Sequence, residues 1–61
     1  MQVRRAELLL GIGQTEEALT LLHAVLREDS GYAAAHRLLA AYYEKQGELQ
    51  KAAEHRRRAG P

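Results

Sequence analysis

The sequence predicts an all-α protein: two antiparallel helical hairpins, four helices in all, stacked side by side. Three observations predict it. Apolar residues recur at helical spacing in four segments separated by glycine-containing breaks. Ala6, Gly13 and Ala18 recur 34 residues later as Ala40, Gly47 and Ala52. These are the only identities between residues 1–27 and 35–61, and all three are small. Small residues are what a tight interhelical turn and a close helix–helix contact demand. A helix pair repeating at this period points to a stacked-repeat architecture, a binding scaffold rather than a reaction vessel.

The first helix is expected over about Gln2 to Ile12. Advancing 100° per residue places Leu8, Ile12, Leu9, Ala6, Leu10 and Val3 over more than half its circumference. Arg4, Glu7 and Gly11 share the rest, and Arg5 intrudes on the apolar arc. Gly11-Ile12-Gly13 breaks the helix. Thr15 is the expected N-cap of the second, with Glu16 and Glu17 at its positive end. That helix, to about Glu28, gathers Ala18, Leu19, Leu21, Leu22, Val25 and Leu26 on one side. Asp29-Ser30-Gly31 is the next break, with Asp29 or Ser30 as the expected cap of the third helix.

The third helix, about Tyr32 to Gln46, divides most cleanly. Ala33, Ala35, His36, Leu38, Leu39, Ala40, Tyr42 and Tyr43 form a broad apolar side. Ala34, Arg37, Ala41, Glu44 and Lys45 form a narrow stripe opposite, uncommitted to the core. Gly47 ends the helix. The fourth, about Glu48 to Ala59, shows a thin apolar stripe of Leu49, Ala52, Ala53 and Ala59 with Arg56 inside it. Glu54 and Arg58 form an i,i+4 pair, and Arg56, Arg57 and Arg58 sit at the negative end of the helix dipole. Gly60-Pro61 stops the helix.

Sixty-one residues make one domain, 1–61. A chain of this length buries roughly 60% of its unfolded surface and is marginal alone. It has no cysteine, which excludes a disulfide staple and a thiolate metal site and fits any compartment. What remains is very good helix packing, self-association, or membership of a longer protein. A net charge of +1 implies neither nucleic acid nor membrane, and the run Leu8-Leu9-Leu10 is far too short to span a bilayer. Met1 to Ile12 carries arginines followed by leucines, but the apolar stretch is short and a cleavage site unconvincing. The cytoplasm is favoured over secretion on that ground.

No constellation for chemistry stands out, and the expectation is a non-enzymatic protein with no cofactor and no metal. His23 falls on the polar side of the second helix, His36 at a packed position, and His55 beside an arginine cluster, as a surface residue. No two of them have i,i+3 or i,i+4 spacing, so a zinc site lacks its usual geometry. Gly11-Ile12-Gly13-Gln14-Thr15 lacks the Lys-Ser/Thr ending and preceding strand of a phosphate loop and reads as a turn. Ser30, the only serine, has no evident base. The cluster Arg56, Arg57, Arg58 supports an alternative function, a small helical nucleic-acid binder. Against it, all three aromatics are tyrosines with little interleaving among the basic residues.

These residues resemble the tetratricopeptide repeat pattern W-x2-L-G-x2-Y, A-x3-F, P. The second copy reads His36-x2-Leu39-Ala40-x2-Tyr43, Gly47, Ala52-x3-Arg56, Ala59. The first reads Arg5-Ala6-x2-Leu9, Gly13, Ala18-x3-Leu22, Val25, with Ser30 in place of the usual proline. The resemblance covers nearly the whole chain: repeat 1 about 1–31, truncated at its start, and repeat 2 about 32–61. Two departures matter. His36 stands where a large aromatic is common, and Arg56 where an aromatic normally fills the space between helices. The fourth helix thus looks like a terminal, solvent-facing one.

The resemblance implies a protein–protein interaction scaffold. The first helix of each pair would line a concave groove for a protein or peptide. Val3, Glu7 and Leu10 would join Ala34, Arg37, Ala41, Glu44 and Lys45 there. Some members clamp a terminal carboxylate with lysine and asparagine; this chain has no asparagine. The first helix, apolar on too many sides for an outer cap, presents Leu8, Leu9 and Ile12 as a surface missing its neighbour. Stacked repeats usually need three or more units for stability. Either a longer array or a second chain, as a homo-oligomer, would supply that neighbour.

Overall fold

The computed structural model describes residues 2–60, and Pro61, the expected stop, lies outside the described residues. Four helices run in order: α1 (Val3–Gly11), α2 (Thr15–Glu28), α3 (Ala33–Lys45) and α4 (Leu49–Ala59). There is no strand among the described residues. α1 packs on α2 and α3 on α4, making two hairpins, and α3 also packs on both helices of the first. α3 is therefore the central element, whereas α4 contacts α3 alone.

The two interhelical turns are built alike, and the 34-residue repeat explains why. Gly13 has φ +85° and Gly47 φ +78°, the left-handed region that a side chain penalises. In the first turn the Gly13 amide donates to the Leu10 carbonyl at 3.3 Å and the Gln14 amide to Leu9 at 2.8 Å. In the second, Gly47 donates to Glu44 at 3.0 Å and Glu48 to Tyr43 at 2.9 Å. Both are Schellman closures, which satisfy carbonyls left open at a helix C-terminus. The next helix begins at once: the carbonyls of Gln14 and Glu48 accept from Ala18 and Ala52, both at 3.1 Å.

That compression corrects the expected caps. Thr15 is already the first residue of α2, Gln14 holds the cap position, and no side chain caps the helix. The chain has no spare residue after the Schellman closure in which a threonine could cap. Glu16 and Glu17 do lie in the first turn, where the dipole favours them. Nor does Asp29 or Ser30 cap α3, whose cap position is Tyr32. Asp29 Oδ1 instead accepts the Gly31 amide at 3.2 Å, and its carbonyl accepts the Tyr32 amide at 3.1 Å. The aspartate is spent on turning the chain between the hairpins.

The core is made of small and branched side chains. Ala6, Ala18, Leu22, Val25, Ala35 and Leu39 form one buried cluster drawn from α1, α2 and α3. Ala40 and Ala52 are buried apart from it, where α4 meets α3. Thus both alanine pairs of the repeat mark the close contact of a hairpin, since bulk there would force the helices apart. Of the expected stripe on α4, Ala52 is buried but Leu49 and Ala53 are exposed, and Arg56 is exposed as well. The inner face of α4 runs Ala52, His55, Ala59 instead, with His55 half-buried rather than a surface residue. The helix turns its histidine inward because an aromatic partner awaits it on α3.

Candidate functional site

Where α1 and the start of α2 face α3, the surface sinks into an open concavity of about 320 Å³. Glu7, Leu10, Gly11 and Thr15 form one wall; Leu38, Ala41, Tyr42, Lys45 and Gln46 form the other. Leu10, Leu38 and Ala41 supply apolar floor. Glu7 and Lys45 make no ion pair among the described residues, so each has its charge available. The concavity is thus shallow and largely apolar, edged by one carboxylate and one ammonium.

Of the groove residues expected from the sequence, Glu7, Leu10, Ala41 and Lys45 come together here. Val3 is half-buried and packs against the core, while Ala34 and Arg37 lie outside the walls. Glu44 points its carboxylate to α4, where it pairs with the Arg56 guanidinium. Gly11, Thr15, Leu38, Tyr42 and Gln46 join the walls without a signal in the helical pattern. Leu38 and Tyr42 lie on the apolar arc of α3, which assigns them to the core, but both remain partly exposed along the groove.

Outside the groove, α1 carries an uncovered flank. Leu8 is 67% exposed and Ile12 72%. Leu9, one position on, turns inward and packs against the core. The three large apolar side chains exposed among the described residues are these two and Leu49 at the start of α4.

The α3–α4 contact holds a histidine pair. His36 is 2% exposed, as its packed position required. Its Nε2 lies 2.8 Å from the Ser30 carbonyl oxygen, which can only accept, so Nε2 carries the proton. Its Nδ1 lies 3.0 Å from Nδ1 of His55. One proton serves that contact; two imidazolium rings would set N–H against N–H. The rings stack at 5.2 Å between centroids, and His55 also stacks on Tyr43 at 5.6 Å. Lys51 sits 5.4 Å above the Tyr43 ring. Burial pushes the His55 pKa below the ordinary 6.5, and the His36 ring and Arg58 push the same way while Glu54 opposes them. Among the described residues no group of three or more His, Asp or Glu side chains converges as metal ligands do.

The basic cluster is partly neutralised. Arg56 pairs with Glu44, and Arg58 with Glu54 at 3.5 Å, the i,i+4 pair read from the sequence. Within the cluster Arg57 is without an acidic partner among the described residues. No helix among the described residues is long and apolar enough to cross a membrane.

A protein-family model described as tetratricopeptide repeat matches residues 6–58. No curated protein and no solved structure matches the chain.

Proposed function

Since the chain belongs to the tetratricopeptide repeat family, a family that mediates protein–protein contacts, we propose that it is a non-enzymatic interaction scaffold that associates through the uncovered flank of α1. The partner on that flank is another copy of the chain or the neighbouring repeats of a longer one. The concave groove, with Glu7, Leu10, Ala41 and Lys45, takes up a segment of a second protein. The family match supports the class of function.

The observation that carries the self-association reading is the exposure of Leu8 and Ile12. They stand four residues apart, Leu8 in α1 and Ile12 at its C-cap with its amide donating to the Leu8 carbonyl, so they form one apolar strip rather than scattered exposure. A chain of 61 residues, without cysteine, gains most from covering such a strip. Light scattering over a micromolar concentration series tests it. Mass above that of the single chain, lost on Leu8→Glu, supports the reading. A folded monomer throughout the series sinks it.

A further inference from the structure

We propose that copies of this chain associate head to tail, the α1 flank of one seating on the α3–α4 end of the next, in the 34-residue register that joins the two hairpins within the chain. This rests on self-association through the α1 flank, and adds the second surface and the geometry.

The register comes from the way the two hairpins meet. Within the chain, Tyr42 and Gln46 of α3 share the groove with Thr15 at the start of α2. A shift of 34 residues makes Leu8 the counterpart of Tyr42, Ile12 of Gln46, and Leu49 of Thr15. A copy placed on the α3–α4 end as the second hairpin is placed on the first therefore brings Leu8 and Ile12 over Leu49. Those are the three large apolar side chains exposed among the described residues, at 67%, 72% and 66%. One repeat step brings all three to the same junction, so the apolar surface of one end meets that of the other.

The charges agree. The same shift puts Arg4 and Glu7 of the incoming helix at the places of Leu38 and Ala41. The opposing wall then holds Glu44 and Lys45, at the places of Leu10 and Gly11. Each wall then carries one charge of each sign, so opposite charges can pair across the junction. Glu44 already pairs with Arg56, and a carboxylate accepts a second guanidinium. Arg56 stands where the first repeat has the fully buried Leu22. Its head must stay in water, so the junction between copies is looser than the one inside the chain. A head-to-tail contact of this kind leaves a free face at each end, so growth does not stop at two copies.

The test uses the full chain and two variants at exposed positions, Leu8→Glu and Leu49→Glu, with far-UV circular dichroism to establish that each folds. Ile12→Glu is a second α1 variant. Sedimentation of the wild type should show a mass rising with concentration past twice the 6.8 kDa chain. Each variant alone should be monomeric. A one-to-one mixture of Leu8→Glu and Leu49→Glu should form a dimer and stop there, because each keeps the face the other has lost. A mixture that stays monomeric overturns the proposal. So does a wild type that halts at two copies and survives Leu49→Glu, which would mean α1-to-α1 pairing and would leave self-association standing. A wild type that is monomeric at every concentration overturns both readings.

Discussion

His36 and His55, nineteen residues apart in sequence, meet Nδ1 to Nδ1 at 3.0 Å across the α3–α4 contact. The buried ring is held by the Ser30 carbonyl, so the break between the hairpins, α3 and α4 are tied through one imidazole.

His55 makes stability depend on pH. The folded pKa of His55 lies below its unfolded value of 6.5. The unfolded chain therefore binds more protons in between, and stability rises with pH there. It is full above 6.5 and falls as the pH drops from that value through the depressed folded one. Melting curves from about pH 8 to about pH 5 should show this loss, and His55→Gln should flatten it. A wild-type melting temperature constant across the range would refute the coupling.

Gly13 and Gly47 should each resist substitution for a reason of backbone, not of space. A Cβ at either position meets nothing within 4 Å, yet both have φ near +80°. Gly47→Ala should cost about 1–2 kcal/mol from the left-handed conformation alone. Gly47→Val should cost more, since β-branching narrows the choice further, and Gly47→Asn less. Equal urea midpoints for the three variants and the wild type would show that the turn is not held in this geometry.

Ala52 and Ala53 are neighbours with opposite fates. Ala52 is buried where α4 meets α3 and Ala53 is exposed. Ala52→Leu should overpack the contact and cost roughly 1–3 kcal/mol. Ala53→Leu should stay within about 0.5 kcal/mol of the wild type. If thermal melts rank the two the other way, α4 is rotated about its axis relative to the structure.

Ala41 tests the groove. It is exposed and forms part of the floor between Glu7 and Lys45. Ala41→Arg should leave the melting temperature within the range of ordinary surface changes. Peptides selected from a random library on the wild-type chain should lose binding to this variant, as measured by fluorescence anisotropy. Undiminished binding would place the partner surface elsewhere.

Much of the fold is legible in the sequence because it is written in local terms. Helical spacing marks the four segments, and glycine at two equivalent turns marks where the backbone must go left-handed. The paired alanines mark where helices touch. What escapes is local where the chain is tightest. Thr15 does not cap because the Schellman closure leaves it no room, and Asp29 is used for the turn it begins.

The candidate surfaces are legible only in part. The wheel of α1 leaves Leu8, Leu9 and Ile12 as surplus apolar residues, of which Leu9 packs inward, and of the groove residues that the family resemblance implies, Glu7, Leu10, Ala41 and Lys45 line the concavity. Glu44 leaves that stripe for Arg56 because an ion pair across the hairpin is within reach. His55 escapes altogether, since spacing rules compare residues within one helix and its partners lie on another.

By itself, then, the amino-acid order determined the number of helices, the repeat that pairs them, and the small residues at which they approach. Tertiary structure alone decided which side of α4 faces inward, and with it the histidine pair, the Glu44–Arg56 bridge and the shape of the groove. The physical reason is one of range. Backbone conformation and face periodicity are set by neighbours along the chain, whereas the rotation of one helix against another is set by how side chains far apart in sequence fill shared space.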